Sequence, residues 1–267
     1  MTDSARFQEE LLALDARIAD LIEERAKRAR DAGDAGDGAT GGIPFDPRRS
    51  LALAARLPSL PEAAARRLFD AYFAALDPLV RPRTLAVVDA DGARAALARH
   101  GDDGALLVMT AASPREALAE ALSAVASGRA DGAVLRYQRP GEGPIAETLD
   151  AIAASEGRIV HLFDGEDARW AIVALRPAPK SGVDRTGFLI RVQDTPGVLQ
   201  DVLGRFAAHR VNLTKIHSYP AQEGDYRFYL ECDGHASDRP LVAAIDEVRK
   251  LARQLRVLGS YVRPDAR

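Results

Sequence analysis

The chain has a single cysteine, Cys232, which excludes an internal disulfide framework and any multi-cysteine metal site. Set in an apparent strand, it reads as a small core residue. Charge of one sign is also lacking. Lys and Arg number 36 against 39 Asp and Glu, a net charge of -3, so no basic excess directs the chain to nucleic acid or to an anionic membrane. No apolar run approaches the roughly 18 residues needed to span a bilayer. The opening MTDSARFQEE has no apolar stretch of a secretory signal, so a cytoplasmic location with no membrane partner is expected. His100, His161, His209, His217 and His235 show no metal-site spacing, and no serine sits in a nucleophile elbow. Gly36 to Gly42 is too acidic for a phosphate cradle and lacks its lysine. Neither metal nor cofactor is expected.

What is present suits two or three ordinary domains: 267 residues, 47% of them hydrophobic. Phe7, Leu11, Leu14, Ile18 and Leu21 recur at spacings of four and three, which predicts a long amphipathic helix whose apolar seam needs a partner. From Ala29 to Gly42 glycine and aspartate dominate, and the helix is expected to fray into a mobile loop there. Asp46-Pro47 suits the start of a second helix to about Leu57. Ser59-Leu60-Pro61-Glu62 suits a third, with Leu68, Phe69, Tyr72, Phe73 and Leu76 as its buried face. After the Pro78–Pro82 boundary come five short apolar runs: Thr84–Asp89, Ala105–Thr110, Gly132–Tyr137, Arg158–Phe163 and Trp170–Leu175. Helical stretches such as Ser113–Ala126 lie between them, and this alternation predicts an open α/β sheet.

The last third is the most informative. A strand over Phe188–Val192 stops at Asp194-Thr195-Pro196-Gly197, and a helix follows with Val198, Leu199, Val202, Leu203 and Phe206 on one face. A strand run over Val211–Ile216 ends at Ser218-Tyr219-Pro220; then come a strand over Tyr226–Cys232, a helix capped by Asp238, and a strand over Leu255–Val262. The order βαββαβ is ferredoxin-like. By spacing alone, Pro196-Gly197 is a turn and Asn212 a strand-entry residue.

Thr195-Pro196-Gly197-Val198-Leu199, Asn212-Leu213-Thr214-Lys215-Ile216 and the terminal Leu255–Tyr261 run resemble the phenylalanine-sensing ACT domain of prephenate dehydratases. That resemblance implies a phenylalanine-like amino-acid effector held by Pro196, Gly197, Val198, Leu199, Asn212, Leu213 and Ser218 at a homodimer interface. Amide groups at the start of the Val198 helix suit the effector's carboxylate. One departure is His217-Ser218-Tyr219-Pro220 where the family has Glu-Ser-Arg-Pro, which loses an acid and a base together.

Leu14–Ile18 with Glu24-Arg25-Ala26 resembles the helical chorismate mutase domain, and Val125–Val134 with Glu142–Asp150 resembles one lobe of a prephenate dehydratase. The implied organisation is a helical domain over 1–80, a truncated single α/β lobe over 81–179 and an ACT domain over 183–263, an α+β multidomain chain. Carried over position by position, Arg25, Asp46 and Arg49 match the mutase pattern. Gln8, Gly36, Ser50 and Val80 replace the charged or amide groups that the rearrangement uses. In the dehydratase-like lobe, Ala168 stands where the family has a threonine, and only about twenty residues separate Asp150 from Trp170 where a second lobe is expected. Each lost donor removes about 3 to 4 kcal/mol of transition-state stabilisation. Two readings follow. One is a catalytically eroded, amino-acid-binding regulatory protein of the chorismate mutase and prephenate dehydratase family; the other is an active chorismate mutase with a pocket rebuilt from Arg28, Arg30, Arg48 or Arg81.

Overall fold

The structure, a computed structural model, describes residues 3–34, most of 52–72, 84–98, 105–220 and 224–263. Its first element is a single helix, α1 (Asp3–Asp34). The helix runs through Ala29 and Gly33 instead of fraying at Ala29, because residues 29–32 are alanine, arginine and aspartate and one interior glycine costs only about 1 kcal/mol. The glycine-dense stretch after Asp34 lies outside the described residues, as do Gly36, Asp46, Arg49, Ser50 and Val80. The seam expected on α1 faces outward: Leu11, Leu14, Ile18 and Leu21 are exposed. Leu68, expected to be buried, is also exposed, while Phe69 and Tyr72 are half-buried and meet edge to face at 6.4 Å.

A five-stranded sheet follows, built from β1 (Thr84–Val87), α2 (Ala90–Ala98), β2 (Ala105–Val108), α3 (Pro114–Ala126), β3 (Gly132–Gln138), α4 (Ala146–Ala154), β4 (Arg158–Asp164) and β5 (Arg169–Ala174). The strand order is β2-β1-β3-β5-β4. β1 pairs in parallel with β2 and β3, whereas β5 is antiparallel to both β3 and β4. Burial on both faces, as in parallel α/β sheets, explains the apolar runs of β1, β3, β4 and β5, whereas the edge strand β2 has Ala105 and Val108 exposed. α3 starts where its sequence signals placed it: the Ser113 hydroxyl accepts the Glu116 amide at 3.3 Å, and Pro114 occupies the first turn.

The C-terminal unit is a four-stranded antiparallel sheet in the order β7-β8-β6-β9, with two helices on one face. Its elements are β6 (Asp184–Gln193), α5 (Val198–Ala208), β7 (Leu213–Tyr219), β8 (Asp225–Asp233), α6 (Arg239–Leu251) and β9 (Gln254–Val262). Phe188, Ile190 and Val192 pack with Val202, Phe206, Leu230 and Val248 beneath those helices. Asp238 stands at the N-terminus of α6 but makes no side-chain cap. Its carboxylate instead accepts the His235 amide at 2.9 Å and pairs with Lys180.

The helix-free face of this second sheet is covered by the first unit. Leu189, Tyr219, Tyr229, Leu258 and Tyr261 share one hydrophobic cluster with Leu135, Tyr137, Ile159 and Leu162. The edge strands β4 and β9 meet so closely that only a glycine fits at 259.

Candidate functional site

Gly197 is the N-terminal residue of α5 and has a φ of 86°, a left-handed conformation that costs little only without a side chain. It closes the turn left open by Pro196, and both residues are exposed. The amide of Val198 is engaged by Thr195 O at 3.2 Å, and that of Asp201 by Gly197 O at 3.0 Å. The following amides, of Leu199 and Gln200, belong to the first turn, where helix dipole and N–H direction both favour an anion. Val198 and Leu199 are half-buried.

The other residues assigned to the effector divide between two ends of the sheet. Asn212 immediately precedes β7; its amide donates to Asp233 Oδ2 at 2.7 Å and its carbonyl accepts the Asp233 amide at 3.0 Å. The Gly197 turn lies at the opposite end of β8, where the Asp194 amide donates to Gly224 O at 2.9 Å. Nine residues of β8 separate them, roughly 25 to 30 Å at strand rise. Ser218, exposed and paired in register with Phe228, lies in the half nearer Gly197, and Leu213, paired with Cys232, in the half nearer Asn212. One protomer therefore does not gather these side chains around a single ligand.

β7 has two faces with different surroundings. Ile216 and Ser218 lie on the helix side of the sheet, exposed beyond the helices. Lys215, His217 and Tyr219 face the first unit and fasten to the segment after β3. Lys215 Nζ donates to Gln138 Oε1 at 3.2 Å, the His217 ring lies against Gly143, and the Tyr219 hydroxyl donates to Pro144 O at 2.5 Å. Beside them, Arg227 Nη1 reaches both Asp150 carboxylate oxygens, at 2.6 and 2.8 Å.

At the centre of this junction lies Glu231, 2% exposed. Its Oε1 accepts from the hydroxyls of Tyr229, Tyr261 at 3.2 Å and Tyr137 at 3.4 Å, with Lys215 Nζ at 3.6 Å. Arg185 Nη1 is 3.9 Å from Oε2. Burial, reinforced by neighbouring negative charge, pushes all three phenols well above the ordinary tyrosine range, so each stays a donor. The sequence reading missed this cluster. Its signal was an acid and a lysine at alternate positions of strands whose neighbours are apolar, a pattern that makes sense only when the second face is buried too.

The first unit has its own charged cluster at the carboxyl ends of β1 and β3, where the strand order changes direction, the position at which open α/β sheets bind ligands. Arg136 pairs with Trp170 and Gln138 with Arg169 across β3 and β5. Arg136 binds Asp89 Oδ2 at 2.6 Å and Asp167 Oδ2 at 2.9 Å, with its guanidinium 5.2 Å from the Trp170 ring centre. Arg169 binds Asp164 through Nε at 2.7 Å and Nη2 at 3.2 Å. Ala168 is buried. The Gly92 amide holds the Asp89 carboxyl below its ordinary range, against burial and with help from Arg136. A lowered folded value stabilises the protein above about pH 4, and that contribution is lost as pH falls through it. Asp89→Asn should therefore flatten the acid side of a melting-temperature profile below about pH 4, by under about 1 kcal/mol because the pair is partly exposed.

Of the three residues that match the mutase pattern, Arg25, Asp46 and Arg49, Arg25 alone falls within the described residues. Its guanidinium stacks over Tyr72 at 5.2 Å. Of the arginines considered for a rebuilt pocket, Arg28 is exposed and pairs with Glu24 at 2.5 Å. Among the described residues no His, Cys, Asp and Glu group suits a metal, and no helix is long and apolar enough to cross a membrane.

The ACT domain family matches residues 187–250, which covers the Gly197 turn, β7 and β8. A prephenate dehydratase from Mycobacterium avium (strain 104) is 33% identical over 157 residues, 55% of this chain and 46% of that protein. The chain is similar to prephenate dehydratases over about half its length and matches the ACT domain over residues 187–250. It spans about half the length of the curated relatives it matches, 46% for the M. avium protein. Among solved structures, a quorum-quenching acylase superposes with a TM-score of 0.57 at 26% identity, covering 68% of this chain and 95% of that one. A prephenate dehydratase from Arthrobacter aurescens, in complex with L-Phe, has a TM-score of 0.57 at 21% identity, covering 69% and 91%. At that identity the last likeness speaks for the fold.

Proposed function

We propose that this chain is a catalytically eroded relative of the phenylalanine-pathway prephenate dehydratases that works as an amino-acid-responsive regulatory protein. The observation that carries this reading is a contrast between its two ends. The Gly197 turn keeps a glycine-only conformation in front of α5. In the charged cluster of the first unit, Arg136 and Arg169 are already engaged by the chain's own carboxylates, and an alanine fills the threonine position. A dicarboxylate substrate would have to displace Asp89, Asp167 or Asp164 to reach a cation, with no hydroxyl at 168 to assist departure of a leaving group.

The L-Phe bound by the A. aurescens protein suggests a phenylalanine-like effector, with its carboxylate at the Leu199 and Gln200 amides. The separation of Gly197 from Asn212 supports a homodimer: two copies with antiparallel sheets would set the turn of one beside Asn212 and Leu213 of the other.

The test is a thermal-shift series with the twenty amino acids. A ligand at one hundred times its Kd should stabilise the protein by about 2.7 kcal/mol. Gly197→Val should abolish the phenylalanine response with the fold kept, since no neighbour obstructs a side chain there and the cost is confined to the turn. A response surviving that change would place the effector elsewhere, and turnover of prephenate or chorismate within about a hundredfold of ordinary enzyme rates would remove the eroded reading.

A further inference from the structure

The junction between the two units contains a cavity of about 430 Å³, within the range of small-ligand sites. Its walls come from both units: Arg139, Glu142, Gly143, Pro144 and Glu147 from the segment joining β3 to α4, and His217 from β7. It opens beside the face of β7 opposite to Ser218, so it differs from the surface that two copies would share around Gly197.

The cavity's charges are of both signs. Arg139 and Glu142 stand 3.6 Å apart on exposed side chains, a looser pair than Arg136 with Asp89 at 2.6 Å and one that a ligand can part, and Glu147 lies in the first turn of α4. His217 contributes a ring that is a donor or an acceptor according to tautomer. The motif His217-Ser218-Tyr219-Pro220 lacks the acid and base that the ACT resemblance leads one to expect on this strand. The segment 139–147 sets an acid and a base against the same strand from the other unit.

That placement is tied down at both ends. Gln138 is tied to Lys215 and Pro144 to Tyr219, bracketing the cavity. Between them, a methyl group on Gly143 would lie 2.5 Å from Cε1 and 2.7 Å from both nitrogens of His217, so the close seat of the loop on the ring depends on glycine.

We propose that this cavity is a binding site for a small zwitterion of the amino-acid class, its carboxylate on Arg139 and its ammonium on Glu142 and Glu147, with His217 as the wall from the ACT domain. The site is complete in one protomer and independent of the Gly197 turn. Its ligand touches both units at once.

The experiment uses the full chain carrying Gly197→Val, which silences the turn, titrated calorimetrically with each of the twenty amino acids. One site per chain is expected to remain for at least one of them. Adding Arg139→Gln or Glu147→Gln should weaken that site at least about tenfold, as for loss of a charged hydrogen-bond partner. Neither exposed position threatens folding. The proposal is overturned if the Gly197→Val chain binds no amino acid, or if its residual binding ignores both added changes. The reading of the Gly197 turn is decided separately, by whether Gly197→Val removes a response that the unsubstituted chain shows.

Discussion

Gly259→Ala should lower the melting temperature by roughly 10 °C, the largest effect expected of any single methyl group in this protein. The residue sits in β9 with a φ of 155°, outside the range that side-chain-bearing residues favour. More important is what a methyl would meet. Its carbon would lie 2.1 Å from Ile159 O, 2.6 Å from Ile159 N and 2.8 Å from Ile159 C, all backbone atoms of β4. A side chain could rotate away, but a strand cannot. The edges of the two sheets would have to part, loosening the shared cluster around Leu162, Leu189 and Leu258. Backbone strain and overpacking together cost about 3 to 5 kcal/mol. Gly128→Ala is the control, because that residue has a φ of 74° with open space around it and pays for conformation alone, about 1 kcal/mol. Melting curves of the two variants decide the matter. If Gly259→Ala melts no lower than Gly128→Ala, β4 and β9 are not packed backbone to backbone.

Glu231→Leu is the second large effect. The substitution removes the acceptor shared by three buried phenols, the anion beside Lys215 and one of the two carboxylates beside Arg185. Breaking a buried charge network by deleting one partner costs about 3 to 5 kcal/mol, since the remaining groups lose their solvation with no replacement. Tyr261→Phe deletes a donor and leaves the carboxylate two others, so about 1 kcal/mol is expected. In urea titrations followed by the Trp170 fluorescence of the first unit, Glu231→Leu should shift the midpoint although Glu231 belongs to the second. An unchanged Trp170 transition would show that the two units unfold independently and that this cluster does not couple them.

Much of this architecture was legible without coordinates, for reasons that particular residues make plain. Period-two runs ending at Asp194-Thr195-Pro196-Gly197, a helical face over Val198–Phe206 and the terminal strand to Val262 are local signals, and the elements formed close to those bounds. The same holds for Ser113-Pro114 at α3, where capping and proline geometry act within four residues. α1 runs past Ala29 to Asp34 because a rise in glycine content is not itself a boundary: one interior glycine, Gly33, is tolerated.

What the sequence by itself determined was the order of elements, the turn that demands glycine at 197, the resemblance to an ACT domain, and the missing hydroxyl at 168. Each depends on neighbours along the chain. Tertiary structure alone decided that Gly197 and Asn212 stand at opposite ends of one sheet and that Glu231 gathers tyrosines from both units. It also decided that Arg136 is claimed by Asp89 and Asp167, and that His217 closes a cavity with residues some seventy positions earlier. Those facts follow from which strand lies beside which and which face is covered, and long-range pairing leaves no periodic trace in a single strand for a reader of the sequence to find.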